Sequence, residues 1–184
     1  MKTLETERLL LRNWEESDID DLYEYARVES VGEMAGWPHH ANIETSKEIL
    51  KGFIANDDVY AIVIKEQNKV IGALGVHNKS RDSSYKADLQ REIGYVLNKA
   101  YWGRGLMPEA VRGVIKYAFE ELNVDILWCA HFSTNTQSKR VIEKSGFRFY
   151  GDGIYEAKAL NKSFEDKIYI MTKEDYDCLP LHLL

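Results

Sequence analysis

The chain of 184 residues has only two cysteines, Cys129 and Cys178, far apart and in no CxxC or zinc-ligand spacing. That scarcity argues against a structural metal and agrees with a reducing compartment, so both read as ordinary thiols. No run of about 18 apolar residues is present to span a bilayer. The opening MKTLETERLLLR lacks the apolar stretch and small-residue cleavage site of a secretory signal. A soluble, cytoplasmic protein with no membrane partner is expected. Basic charge is also short, with 24 Lys and Arg against 30 Asp and Glu and a formal charge of −6. Nonspecific nucleic-acid binding relies on a basic surface that displaces counterions, so no direct nucleic-acid partner is expected. An amine or basic ligand suits the charge slightly better. Neither GxxxxGK[ST] nor GxGxxG occurs, which argues against a Walker loop or a dinucleotide fold. There is no repeat, low-complexity tract or linker. With 45% hydrophobic content, the length suits one domain over 1–184 with one sizeable core.

What is present is concentrated in Ile93 to Leu122, IGYVLNKAYWGRGLMPEAVRGVIKYAFEEL, where an apolar strand passes through a glycine-bearing turn into an amphipathic helix. A helix start leaves about four N–H groups without intrahelical partners and carries roughly half a positive charge, so it holds an anion through backbone alone. Gly103 and Gly105 permit close approach, Pro108 and Glu109 suit a first turn, and Val111, Val114, Ile115, Ala118, Phe119 and Leu122 recur with the period of one buried face. A plain tight turn is the competing reading of so short a glycine pattern.

Along the chain, Arg8 to Arg12 reads as a strand, and Glu16-Ser17-Asp18 starts a short helix. Val31 to Ala41 reads as a loop and Thr45 to Ala55 as a second helix. Tyr60 to Lys65 and Lys69 to Val76 form a hairpin, Ser80 to Lys86 a polar loop and Leu89 to Leu97 a strand. After the glycine turn and its helix come a strand at Ile126 to Phe132, a helix at Thr136 to Ser145 ended by Gly146, and strands at Phe147 to Tyr150 and Lys167 to Met171. This order predicts an α/β three-layer sandwich with a mixed, mostly antiparallel sheet of about seven strands and about four helices. The apolar end, Leu179 to Leu184, covers either the core or a second copy of the chain in a homodimer.

The glycine loop YWGRGLMPEA, the segment NTQSKRVIEKSGF and the opening TERLLLR together resemble the GNAT-type N-acetyltransferases. The opening is similar to the branch containing the ribosomal-protein N-terminal acetyltransferases. The resemblance runs from about Thr6 to Met171. It implies acetyl-CoA as cosubstrate, transfer to an amine of a small molecule or a protein N-terminus, and a sheet whose fourth and fifth strands splay to admit pantetheine. The family's pyrophosphate signature falls on Trp102 to Met107. Gly105 matches, while Trp102 replaces a polar residue and Met107 a small one. The resemblance gives the pyrophosphate to the backbone of Gly103, Arg104, Gly105, Leu106 and Met107, with Arg104 either adding a charge or pointing to solvent. It pairs the pantetheine with Tyr95, Val96 and Leu97, whose backbone matters more than their side chains. Asn135 matches a cofactor-contacting asparagine and is also a natural helix cap.

Acetyl transfer from a thioester needs a neutral amine, a polarised carbonyl and a proton for the departing thiolate. Many relatives place a tyrosine where this chain has Ile142, which cannot donate a proton. Ser138, four residues earlier on the same helical face, resembles the serine this branch sets beside the CoA sulfur; water is the alternative. Glu92 is the candidate base, on the strand face opposite Ile93 and Tyr95, with solvent exposure or a pair with Arg91 or Lys86 as its competing role. His77 and His131 stand on strands and are candidates to line the cleft. Trp37, beside Pro38 and His39-His40, is a candidate for the acceptor pocket. A histidine pair without a third ligand does not make a metal site, so no metal is expected. Trp14, Trp102 and Trp128 read as packing, and neither cysteine stands where a nucleophile is needed.

Overall fold

The computed structural model describes residues 1–85 and 87–180. The strands are β1 (Leu4–Glu5), β2 (Leu9–Arg12), β3 (Val59–Ile64), β4 (Lys69–His77), β5 (Gln90–Leu97), β6 (Ile126–Phe132), β7 (Arg148–Ala157) and β8 (Lys162–Thr172). The helices are α1 (Ile19–Ala26), α2 (Ile43–Asn56), α3 (Leu106–Glu120), α4 (Thr136–Lys144) and α5 (Lys173–Asp177). One sheet runs in the order β1-β2-β3-β4-β5-β6-β8-β7. Its neighbours are antiparallel except β5 and β6. That parallel pair is where α3 crosses over, since parallel neighbours need a long connection.

Helices cover both faces, as the three-layer reading expects. β3, VYAIVI, is buried at every position, the pattern of a strand with helices on both sides. Trp14, Leu22, Tyr25 and Leu50 pack with Ala61, Val63 and Ala73 on one face. Val111, Val114, Ile115 and Phe119 of α3 pack with Leu9, Ile62, Leu74 and Leu127 on the other. Each such side chain contributes about 1.5–3 kcal/mol on burial, so α3 and the loop at its start are held firmly.

Three details differ from the sequence reading. The sheet has eight strands rather than about seven, because Leu4–Glu5 adds a short edge pairing. A fifth helix, α5, follows β8, with Thr172 capping Asp175 N at 3.1 Å. The last two strands form one long hairpin rather than two short strands. β7 runs past Tyr150 through Gly151 and Gly153 to Ala157. Gly153 is required because a Cβ there would meet Asp166 Oδ1 at 2.4 Å.

The feature that positions the site is the end of the β5–β6 pairing. Register runs from Gln90↔Ile126 to Ile93↔Cys129 and stops, although β5 continues to Leu97 and β6 to Phe132. These are the fourth and fifth strands of the sequence reading, shifted by one in number because of β1. Leu179 packs against Gly146, where a Cβ would meet its Cδ2 at 2.5 Å. The rest of the apolar end, 181–184, and Lys86 lie outside the described residues. Among the described residues no helix is long and apolar enough to cross a membrane, and no group of three or more metal-ligating side chains occurs.

Candidate active site

A cavity of about 1000 Å³ passes through the splay between β5 and β6, from Gly103 and Gly105 at one end to Trp37, Glu92, Tyr155 and Asp166 at the other. At the first end the chain leaves β5, turns through Gly103 (φ 75°) and Gly105 (φ 73°) and enters α3. Side chains rarely adopt that left-handed backbone, and glycine adopts it freely. Among the described residues the N–H groups of Gly103, Arg104 and Gly105 make no turn or loop hydrogen bond. Leu106 and Met107 open the helix, so their N–H groups also lack intrahelical partners. A Cβ at Gly103 would meet nothing within 4 Å, leaving an open, N–H-lined concavity.

The loop is braced from the segment that leads into β2. Arg8 Nη1 donates to the Arg104 carbonyl at 2.9 Å and Arg8 Nε to Glu109 Oε2 at 2.6 Å. Glu109 Oε1 also accepts from Thr6 Oγ1 at 2.6 Å and Arg8 N at 2.8 Å. Burial works against the Glu109 charge, but these hydrogen bonds outweigh it and hold its pKa below the usual carboxylate value. Two residues of the opening TERLLLR thus fix the first turn of α3. Trp102, which departs from the family signature, donates its indole N–H to the Leu97 carbonyl at 2.9 Å. Met107 buries its side chain in the core, so its place in the concavity is a matter of backbone. Arg104 points away from the cavity lining, with its guanidinium 5.3 Å over the Tyr101 ring.

In the middle of the cavity, Tyr95 follows the last paired residue of its face, Ile93. Its hydroxyl lies 3.0 Å from Ser138 Oγ and 3.2 Å from the Ser138 carbonyl. Burial pushes the Tyr95 phenol well above its ordinary pKa, with the Ser138 contact opposing in part. The side chain, expected to matter less than the backbone, therefore carries a specific contact. Asn135 caps α4, accepting from Ser138 N at 3.0 Å, and its Nδ2 reaches the Met34 carbonyl at 3.4 Å. Ile142 is fully buried. His131 Nδ1 contacts the Phe132 carbonyl at 2.8 Å, which places the Nδ1 proton on that bond, and Nε2 is buried with no partner among the described residues.

On the opposite face of the sheet a buried ion cluster floors the cavity. Arg81 Nε donates to Glu92 Oε1 at 2.7 Å, Arg81 Nη2 contacts the same oxygen, and Arg81 Nη1 donates to Asp166 Oδ2 at 3.0 Å. Lys79 Nζ lies 2.7 Å from Glu92 Oε2. Glu92 faces away from Ile93 and Tyr95 as alternation requires, and its partners are Arg81 and Lys79 rather than solvent or Arg91. His77, opposite Glu92 in register, is tied to Asp58 Oδ2 at 2.9 Å. Trp37 packs on Gly32, where a Cβ would meet its ring at 2.3 Å. His39 pairs with Glu33 Oε1 at 2.8 Å and His40 with Ser46 Oγ at 2.7 Å.

Of the residues assigned from the sequence to donor, acceptor or chemistry, all but Arg104 line this one cavity: Glu92, Tyr95, Val96, Leu97 and Ser138 around the splay, and Asn135, Trp37, His77 and the glycine loop about it. Sequence reasoning missed Arg81, Lys79, Asp166 and Tyr155. They are scattered over a polar loop and the last hairpin, and no spacing links residue 81 to residue 166. Arg8 was visible within the opening, but its partners at Arg104 and Glu109 were not. Cys129 is buried and Cys178 exposed, and both are free thiols; burial raises the Cys129 pKa well above its ordinary value.

Residues 8–148 match the Acetyltransferase (GNAT) domain family. An uncharacterized N-acetyltransferase, p20, of Bacillus licheniformis is 27% identical over 183 residues, covering 96% of this chain and 99% of its own. The crystal structure of a GNAT-family acetyltransferase from Bacillus anthracis superposes with a TM-score of 0.81 at 23% identity, over 94% of this chain and 99% of that one. That of the ribosomal-protein-S5-alanine acetyltransferase from Vibrio fischeri does so with a TM-score of 0.70 at 22% identity, over 96% and 99%. With the family match spanning the glycine loop, the splayed strands and the Ser138 helix, the chain belongs to the GNAT family of N-acetyltransferases.

Proposed function

We propose that this protein moves an acetyl group from acetyl-CoA to a primary amine by direct attack in a ternary complex. The observation that carries the reading is the alignment of two features along one cavity: the N–H-lined turn at Gly103 to Met107 and the unpaired edges of β5 and β6 beyond Ile93↔Cys129. The residues present fit such a donor. The turn suits a pyrophosphate, and the free edge of β5 suits an extended amide chain that adds as a strand. The thioester supplies the activated acyl group.

The β5 backbone polarises the thioester carbonyl and stabilises the oxyanion that forms on attack. Glu92 takes the amine proton, directly or through water, and Ser138, backed by the Tyr95 hydroxyl, gives the departing sulfur a hydrogen-bond partner. Cys129 is buried with a raised pKa, which supports a route without an acetyl-enzyme. The acceptor is a small-molecule amine or a protein N-terminus. The experiment is a thiol-release assay with acetyl-CoA and a panel of amines and N-terminal peptides, ribosomal ones included, read beside a titration of CoA binding. Turnover on a subset of the panel is the expected result. Binding without turnover on a broad panel would turn the reading to a noncatalytic acyl-CoA sensor, and absence of binding would overturn the donor site.

A further inference from the structure

Lys79 stands in the loop after β4 and lines the acceptor end of the cavity. Its Nζ lies 2.7 Å from Glu92 Oε2, an ion pair without hydrogen-bond alignment, and among the described residues that buried oxygen has no hydrogen-bond partner. The same ammonium lies 5.9 Å over the Tyr155 ring. A carboxylate and an aromatic face are the two surfaces an alkylammonium seeks. The two cations on Glu92 differ in kind. Arg81 is 12% exposed and shared with Asp166, and a guanidinium does not lose its proton in a protein. Lys79 is 47% exposed, ends a flexible stem and becomes a nucleophile once it loses one proton. A primary amine therefore already rests against the carboxylate that the acetyl-transfer reading makes the base.

We propose that Lys79 occupies the acceptor-amine position and is acetylated in cis when no external amine is bound; this rests on the function proposed above. Glu92 takes a proton from the Lys79 ammonium, and the neutral Nζ attacks the thioester carbonyl. The N–C bond forms, the C–S bond breaks, and the sulfur leaves as a thiolate that is protonated to free CoA. A second proton leaves the nitrogen as the amide forms. The product has no positive charge, so it gives up the ion pair and leaves Glu92 Oε2 to an incoming ammonium. The modification is limited to one acetyl group.

The test uses the whole protein with acetyl-CoA and no added amine, followed by intact mass and peptide mapping before and after incubation. One acetyl group should map to Lys79, at a first-order rate independent of protein concentration and suppressed by excess CoA. A held amine gains the advantage of an intramolecular reaction, so Lys79 should outpace the exposed Lys51 by at least about tenfold. Lys79→Arg should remove the label, and Lys167→Arg, which changes a lysine paired with Asp152, should keep it. Equal labelling of Lys79 and Lys51, a rate that rises with protein concentration, or no label at Lys79 while acetyl-CoA binds would each overturn the proposal. No binding of acetyl-CoA would instead overturn the donor site, and this proposal with it.

Discussion

The Tyr95 hydroxyl lies 3.0 Å from Ser138 Oγ, and this contact joins the free edge of the splayed strand to the first turn of α4. It places two hydroxyls where Ile142 offers none. Ser138→Ala should lower kcat by about a hundredfold, the low end for loss of a positioned proton donor, with CoA affinity nearly unchanged. Tyr95→Phe leaves the serine in place and should fall between the two. Steady-state thiol release and a CoA titration on each variant make the comparison, and an unaltered kcat in Ser138→Ala would remove the serine from the chemistry.

Gly105 has φ 73° and ψ 9° as the residue before α3. Gly105→Ala forces a side chain into the left-handed region at a cost of about 1–2 kcal/mol. A lower melting temperature and a weaker CoA titration are expected together. A variant with unchanged CoA affinity would place the pyrophosphate elsewhere.

Arg8→Ala removes both braces of the turn, the bond to Arg104 O and that to Glu109. The KM for acetyl-CoA should rise about tenfold while kcat changes less, because the loop loses position and the reacting centre does not. Equal losses in kcat and in kcat/KM would argue for a role at the chemistry instead.

Glu109 links that brace to pH. Its folded-state pKa is lowered, so the stability it contributes is complete above the ordinary carboxylate pKa and is lost as pH falls through the lowered one. CoA affinity should therefore weaken on acidification below the usual carboxylate range. Glu109→Gln should flatten the acid limb in a titration of affinity against pH, and an identical limb in the variant would assign it to other groups.

Gly153→Ala would drive a Cβ to 2.4 Å from Asp166 Oδ1. Displacing Asp166 loosens its hold on Arg81 and tilts Glu92, so KM for the amine should rise while CoA affinity stays put. Arg81→Met is harsher: it leaves two buried carboxylates short of their main cation, a loss of about 3–5 kcal/mol in comparable cases. Urea unfolding separates the two variants, and a native-like midpoint for Arg81→Met would show that the cluster contributes little.

Periodicity exposed what depends on local pattern. The buried face of α3 and the alternation that sets Glu92 against Tyr95 were both legible, because helix and strand repeat faithfully over short windows. The hairpin of β7 and β8 was not. The packing of Asp166 against Gly153 leaves no mark in the sequence, and β7 is an edge strand with exposed Phe149 and Ile154, so the usual burial alternation is weak. The glycine turn before α3 and the helix start at Asn135 were legible as local patterns. The ion cluster of Arg81, Glu92 and Asp166 was invisible, since three charged residues brought together by strand order leave no mark in linear spacing. Trp102 read correctly as packing, though only the structure supplies its bond to Leu97.

The brace between Arg8 and Glu109 joins residues 101 positions apart. The brace therefore cannot form until α3 has been made and packed beside the segment that leads into β2. On the function proposed above, acetyl-CoA binds the folded chain and not the unfolded one. By mass action it shifts the folding equilibrium by RT ln(1 + [L]/Kd), about 2.7 kcal/mol at a hundredfold excess over Kd. On that reading the stability of the fold follows the concentration of its donor.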